Sequence, residues 1–126
     1  MRSGEIFKAP MILRKEYGFE AAHFIYNHPG KCRRLHGHSY RLFVSIEGGV
    51  DPETAMIMDF DDLSRVVNEC VIQRVDHHFL NDLIPLSTAE NIAVWIWDQL
   101  KPALPILSQI ELFETHDSCV IYRGKL

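Results

Sequence analysis

Histidines concentrate in one short stretch of this chain. Four of the seven histidines fall between residues 23 and 38. His36 and His38 open a segment of alternating polarity, and side chains two residues apart on a β-strand share one face. His23 ends the preceding alternating segment, so an antiparallel hairpin would place the three imidazoles together. Three neutral imidazoles with an open fourth position are typical of catalytic zinc, the metal that we predict, with iron as the alternative.

Cys32 lies in a polar loop four residues before His36, and its thiol has two possible roles. As a fourth ligand it would close the metal site and make that site structural. As a free thiolate, favoured by a nearby cation and basic neighbours, it would exchange protons with a substrate. The three cysteines are an odd number, which argues against a disulfide framework, and we interpret Cys70 and Cys119 as packing residues.

A second polar group follows a predicted helix, where Asp76 directly precedes His77 and His78. A carboxylate beside an imidazole fixes its tautomer and raises its basicity, so the pair could relay protons. The alternative is a helix C-terminus at which the helix dipole favours histidines.

Glu114 has the same strand parity as the apolar residues Ile110 and Leu112. It therefore ends an apolar strand face, and a buried carboxylate must be paired or hydrogen-bonded. A planar nitrogen heterocycle with adjacent N–H donors would suit it. An exposed strand end is the alternative.

Hydrophobic periodicity predicts the elements that position these residues. Alternating polarity predicts four strands, over residues 12–23, 36–47, 109–114 and 118–122. A 3.6-residue period predicts two helices, over residues 60–75 and 87–100. Asp59 or Asp61 would cap the first helix, and Ser87 with Glu90 forms a capping box for the second.

The order β-β-α-α-β-β predicts an α+β fold, an antiparallel sheet with both helices on one face. Its open edges predict a homo-oligomer.

Composition and charge exclude several classes of protein. The chain is 47% hydrophobic and 24% charged, which is typical of one globular domain. A net charge of −4 and the lack of long basic runs argue against nucleic-acid binding. No apolar stretch approaches the roughly 20 residues of a membrane span, and no signal peptide is recognisable, so we expect a cytoplasmic protein. We expect one domain over residues 12–126 after an N-terminal extension, residues 1–11. Residues 1–10 are either partly an added leader or precede an alternative start at Met11.

Together the motifs resemble the 6-pyruvoyl tetrahydropterin synthase family, which includes bacterial 6-carboxytetrahydropterin synthases. The resemblance extends over about residues 12–124 and rests on Phe19-Glu20-Ala21-Ala22-His23, Cys32-x-x-x-His36-Gly37-His38, Met58-Asp59-Phe60, Asp76-His77-His78-x-Leu80-Asn81, Ser87-Thr88-Ala89-Glu90-Asn91 and Glu114-Thr115. It implies the tunnelling fold (T-fold), in which the sheets of several subunits join into a barrel, commonly a hexamer built as a dimer of trimers.

The resemblance also implies a role for each candidate residue. It implies zinc ligands at His23, His36 and His38. It implies a catalytic cysteine at Cys32 and an Asp–His relay at Asp76 and His77. It implies that Glu114 anchors the pterin, with help from Thr88 and Glu90. The family's active site lies between subunits, so different chains can supply Cys32 and His77.

The implied substrate is 7,8-dihydroneopterin triphosphate, and the family branches differ in product. One branch eliminates triphosphate and gives 6-pyruvoyltetrahydropterin. The other also releases acetaldehyde and gives 6-carboxy-5,6,7,8-tetrahydropterin for queuosine (7-deazaguanine) biosynthesis. We predict the carboxy product, because residues 31–39 and the short loop before them are similar to the bacterial branch. A third branch, in folate synthesis, has glutamate where this chain has Cys32. A non-catalytic zinc module closed by Cys32 is the alternative of another class.

Overall fold

The computed structural model describes residues 9–125, and residues 1–8 of the predicted N-terminal extension lie outside that range. The sheet contains five strands: β1 (Met11–His23), β2 (His36–Gly48), β3 (His78–Phe79), β4 (Leu107–Thr115) and β5 (Ser118–Tyr122). Helix α1 runs without a break through Phe60–Val67, a π-helical turn at Asn68–Ile72 and Gln73–Val75, and helix α2 is Ala89–Leu100. The predicted α+β class is confirmed. None of the helices in residues 9–125 has the length and apolarity needed to cross a membrane.

The hairpin of β1 and β2 forms as predicted. The two strands are antiparallel and pair along their whole length, with His23 opposite His36 and Ala21 opposite His38. Residues of one parity are buried on both strands, and Phe19 and Tyr40 stack with their ring centroids 4.8 Å apart. The histidines continue this buried face to the end of the hairpin that the loop of residues 24–35 connects.

A fifth strand corrects the predicted four-stranded antiparallel sheet. The strand order is β3-β1-β2-β4-β5, and β3 pairs in parallel with β1 at Ala21 and Ala22. The turn before β3 is also bonded to β1, because Glu20 donates its N–H to Asp76 Oδ1 at 2.9 Å and accepts the N–H of His77 at 2.6 Å. A pairing of two residues is too short to give a periodic signal in the sequence.

Helix α1 packs on the sheet through a stripe of residues spaced by four: Leu63, Val67, Val71 and Val75, all fully buried. In a regular α-helix each four-residue step turns the side chain by about 40° beyond a full turn, so this stripe would drift off the core. The π-helical turn compensates for the drift. Asp59 caps the helix, as predicted, by accepting the N–H of Asp61.

Helix α2 begins two residues later than predicted. Its N-cap is Thr88, whose hydroxyl accepts the N–H of Asn91 at 3.2 Å, so the capping box assigned to Ser87 is wrong. Ser87 is fully buried and its polar atoms contact His23 instead. Serine and threonine both cap helices well. Here Ser87 is buried beside His23, and Thr88 caps the helix.

The cysteines are free thiols. Cys70 packs against the core, as predicted, but Cys119 is exposed. Cys119 pairs with Phe113, on the sheet face opposite the helices, whereas its neighbour Val120 packs towards the core.

Candidate metal centre

Three imidazoles meet at the loop end of the β1–β2 hairpin. One ring nitrogen from each of His23, His36 and His38 lies within 4.8 Å of the other two. The ring centroids of the three pairs are 4.6, 4.9 and 5.2 Å apart, and the rings meet edge to face. Within residues 9–125, no other group of three histidine, cysteine or carboxylate side chains is close enough to hold a metal ion. The predicted juxtaposition of the three histidines is therefore present.

Backbone carbonyls orient two of these rings. His23 Nδ1 lies 2.7 Å from the Ser87 carbonyl oxygen, and His36 Nδ1 lies 2.7 Å from the Arg34 carbonyl oxygen. A carbonyl oxygen only accepts, so each Nδ1 donates its hydrogen and each Nε2 keeps a free lone pair. Such outer contacts fix the tautomer and orientation of metal-binding histidines.

Burial keeps two of the rings, those of His23 and His38, neutral. It lowers the pKa of His23 to about 4, with a further contribution from His36 and His38, while the bond to Ser87 opposes the shift. Burial also lowers the pKa of His38, and the nearby His36 adds to that effect. Neutral imidazole is the form that binds metals, so the site is prepared for a cation at neutral pH.

The imidazoles open into a cavity of about 510 Å³ that Cys32 and Glu114 also line. Within residues 9–125, the close group of ligand atoms does not include the Cys32 sulfur. Three imidazoles beside an open cavity suit a divalent transition metal such as zinc, with room for one further ligand.

Glu114 reaches the cavity through a β-bulge, which the sequence did not reveal. The bulge lies between Phe113 and Thr115, where β4 has one residue more than β5. Such bulges turn a side chain towards a site. Burial raises the pKa of Glu114, and its Oε2 is buried with no hydrogen-bond partner in the described residues, 3.7 Å from His23 Nε2. Buried carboxylate oxygens normally accept hydrogen bonds, so this oxygen is suited to accept them from a bound ligand.

Tyr40, which was not a predicted site residue, packs edge to face against the rings of His23 and His38. Its ring is buried, and its hydroxyl lies 3.4 Å from His23 Nε2. Burial raises the pKa of Tyr40, and the charge of Glu114 adds to the shift. Its position in the sequence could have indicated this place, because Tyr40 continues the parity of His36 and His38 on β2.

Asp76 and His77 form a close pair, with 3.0 Å between Asp76 Oδ1 and His77 Nδ1. The N–H of Glu20 lowers the pKa of Asp76 most, and the bond to His77 adds to that shift. His77 has a left-handed backbone, at φ 59°, and its side chain is 78% exposed. The pair is therefore anchored to the edge of β1 while the imidazole stays accessible.

The Asp–His pair belongs to a different cavity from Cys32. His77 lines a cavity of about 810 Å³ together with Phe24, Leu35 and Phe79. His38 is the one residue that lines both cavities in the described part of the chain. Within a single chain, the structure therefore does not bring Cys32 and His77 to one site.

Thr88 and Glu90 lie outside the lining of the metal cavity. Thr88 caps helix α2. Glu90 is close enough for its charge to raise the pKa of Glu114. The described geometry thus links Glu90 to the predicted anchor and leaves Thr88 with a capping role.

Comparisons with known proteins agree with the fold and the motifs. A family model described as 6-pyruvoyl tetrahydropterin synthase matches residues 12–125. A 6-carboxy-5,6,7,8-tetrahydropterin synthase of Synechocystis is 42% identical over 118 residues, which cover 88% of this chain and 92% of that protein. The human 6-pyruvoyl tetrahydrobiopterin synthase is 38% identical over 105 residues, covering 76% of this chain and 72% of that protein. The structure of Caenorhabditis elegans 6-pyruvoyl tetrahydropterin synthase superposes with a TM-score of 0.86 at 26% identity, covering 93% of this chain and 97% of that one.

The buried His23 predicts a pH dependence of stability in the metal-free protein. Its pKa is about 4 when folded and 6.5 ordinarily, so the unfolded chain takes up the proton first as the pH falls. The stabilisation is complete above pH 6.5 and is lost towards pH 4. Between pH 7.5 and pH 5, His23 alone lowers the free energy of unfolding by about 2 kcal/mol. Urea unfolding in the presence of a chelator measures this change.

The variant His23→Gln should lose most of that pH dependence, whatever its absolute stability. The matched variant His116→Gln, which changes an exposed histidine, should retain it. Equal pH profiles for the two variants would show that His23 is not the buried neutral group described above.

Proposed function

Because the chain belongs to the 6-pyruvoyl tetrahydropterin synthase family, we propose that it is a zinc-dependent lyase that forms 6-carboxy-5,6,7,8-tetrahydropterin. The substrate is 7,8-dihydroneopterin triphosphate. One water is consumed, and acetaldehyde and triphosphate leave with the carboxypterin. This reaction is a step of queuosine biosynthesis.

One observation carries the proposal: three imidazoles and the Cys32 thiol face one cavity with Glu114, whose Oε2 has no hydrogen-bond partner among the described residues. A pterin lyase needs three parts, and these residues can supply them. The imidazoles bind a cation, the Cys32 thiol carries protons, and Glu114 accepts hydrogen bonds from N–H groups. A purely structural zinc site would need a fourth protein ligand, which the Cys32 sulfur does not supply in this geometry.

We assign zinc to His23, His36 and His38, with Nε2 of His23 and of His36 facing the ion because Nδ1 of each is already bonded. Bound zinc supplies a Lewis acid that polarises the hydroxyl groups of the substrate side chain and acidifies the protons beside them.

Glu114 binds and orients the pterin. Its unpaired Oε2 accepts hydrogen bonds from the N–H groups of the amino-pyrimidine edge. Pairing with these donors stabilises the ionised carboxylate against the burial that raises the Glu114 pKa. The predicted help from Thr88 and Glu90 in binding the pterin stays a prediction, because Thr88 caps helix α2 and neither residue lines the metal cavity. The fixed ring holds the side chain of the substrate against the ligand cluster.

Cys32 and His77 carry protons, and Asp76 orients His77 through the 3.0 Å contact. Cys32 exchanges protons from the loop side of the metal cavity. Because Cys32 and His77 line different cavities of one chain, we propose that His77 of a second copy completes the site.

Free sheet edges support such an assembly. In the described chain β3 covers only Ala21 and Ala22 of β1, and the outer edge of β5 has no partner strand. Unpaired edges favour strand addition from another copy. A hexamer built as a dimer of trimers is the arrangement that we propose.

Two products are chemically possible, and the carboxy product is the one that we propose. The Synechocystis relative matches along more of its length, 92%, than the human 6-pyruvoyl tetrahydrobiopterin synthase does, at 72%. The compact loop between β1 and β2 agrees with that preference.

A product assay tests the reaction. The purified, zinc-loaded protein is incubated with 7,8-dihydroneopterin triphosphate, and products are identified by mass spectrometry with trapping of acetaldehyde. We expect acetaldehyde and a carboxypterin in equal amounts. Triphosphate and 6-pyruvoyltetrahydropterin without acetaldehyde would assign the other family activity, and no turnover would contradict the lyase proposal.

Two single variants test the division between ligands and proton carriers. Cys32→Ala and His77→Ala should both fold and retain one zinc per chain while activity falls by at least about 100-fold, since general acid–base groups contribute on that scale. Circular dichroism, zinc analysis and the product assay check each variant. Loss of zinc from Cys32→Ala would instead favour the structural zinc module, and loss from His77→Ala would show that the ligand assignment is wrong.

A further inference from the structure

We propose that Asn81 and Ser87 are positioning residues for His23, and that they set the affinity of the metal centre. The inference rests on the proposed metal-binding function. Both residues belong to motifs of the sequence, but the lyase mechanism gives neither of them a role. Their hydrogen bonds connect the end of β1, directly after His23, to the loop before α2.

Asn81 replaces a strand partner for Phe24, the residue directly after His23. Its Oδ1 accepts the N–H of Phe24 at 3.0 Å, and its Nδ2 donates to the carbonyl of Phe24 at 2.9 Å. The same Nδ2 also donates to the carbonyl of Pro85 at 3.0 Å. Backbone pairing between β1 and β3 ends at Ala22, so the carboxamide extends the hydrogen bonding past the metal ligand.

Ser87 holds the imidazole of His23 directly. Its carbonyl accepts the Nδ1 hydrogen at 2.7 Å, and its hydroxyl lies 3.2 Å from the same nitrogen. The hydroxyl also lies 3.3 Å from Asn81 Oδ1 and 3.4 Å from the carbonyl of Phe24. Ser87 is fully buried, so its polar atoms depend on these partners.

Asn81 and Ser87 with their hydrogen bonds form what we call the bracket, and it acts on only one of the three ligands, His23. His36 and His38 lie on β2 and are held by its pairing with β1 and, for His36, by the Arg34 carbonyl. His23 is the last residue of β1, and its ring direction depends on where the Ser87 carbonyl sits. Asn81 and the Ser87 hydroxyl fix that carbonyl relative to the end of β1. Removing such an outer contact typically weakens metal binding by 10- to 100-fold.

Zinc titration of the full-length, metal-free protein tests the bracket. Zinc affinity is measured by competition with a chromophoric chelator in Asn81→Ala and Ser87→Ala. The control is Ser64→Ala, which removes a half-buried hydroxyl bonded to Lys15 and Tyr17. We expect the first two variants to bind zinc at least about tenfold more weakly than the wild type, and the control to stay within about twofold.

A second readout separates positioning from general stability. In metal-free protein, ¹⁵N chemical shifts of the His23 ring should report one tautomer, with hydrogen on Nδ1, in the wild type and in Ser64→Ala. Asn81→Ala and Ser87→Ala should give a mixture of tautomers. Asn81→Asp retains the acceptor for the Phe24 N–H but loses both donors, and should lie between wild type and Asn81→Ala in affinity.

Zinc affinities and ring shifts in Asn81→Ala and Ser87→Ala that match Ser64→Ala would overturn the bracket. If Asn81→Ala does not fold, unchanged affinity in Asn81→Asp and Ser87→Ala would overturn it equally. A wild-type protein that binds no zinc would instead overturn the proposed function. The two failures are therefore distinguishable.

Discussion

The register of the β1–β2 hairpin places His23 opposite His36 and Ala21 opposite His38, and the metal centre depends on that pairing. Side chains alternate along a strand, so a slip of one residue would turn His23 to the opposite face from the other two histidines. The buried residues that precede the histidines on the same face, Phe19 and Tyr40, hold the register through their stacked rings. The hydrophobic core and the candidate metal centre therefore share one constraint.

Burial then gives the site its chemistry. It keeps His23 neutral and leaves one oxygen of Glu114 without a partner in residues 9–125, while backbone carbonyls accept the Nδ1 hydrogens of His23 and His36. The polar atoms that remain available are those that face the cavity. A ligand that brings a cation and N–H donors would satisfy them together, which is why the geometry suits a metal-dependent reaction on a nitrogen heterocycle.

Residue spacing alone predicted the three-histidine cluster, because period-2 alternation and one hairpin are sufficient to bring it together. Features that depend on tertiary contacts were not predictable in the same way. The parallel strand β3 is only two residues long, the bulge at Glu114 adds one residue to β4, and the N-cap moved from Ser87 to Thr88 because Ser87 is buried beside His23. None of these leaves a periodic trace. The placement of Cys32 and His77 in different cavities also depends on the fold, and the motifs alone do not predict it.

We propose that three imidazoles bind one divalent ion and that the Cys32 sulfur does not. X-ray absorption spectroscopy of the zinc-loaded protein measures this ligand set directly. We expect nitrogen or oxygen neighbours only, with imidazole nitrogens at about 2.0–2.1 Å from zinc. A sulfur neighbour at about 2.3 Å would mean that Cys32 closes the site, and would rule out a catalytic zinc at these histidines.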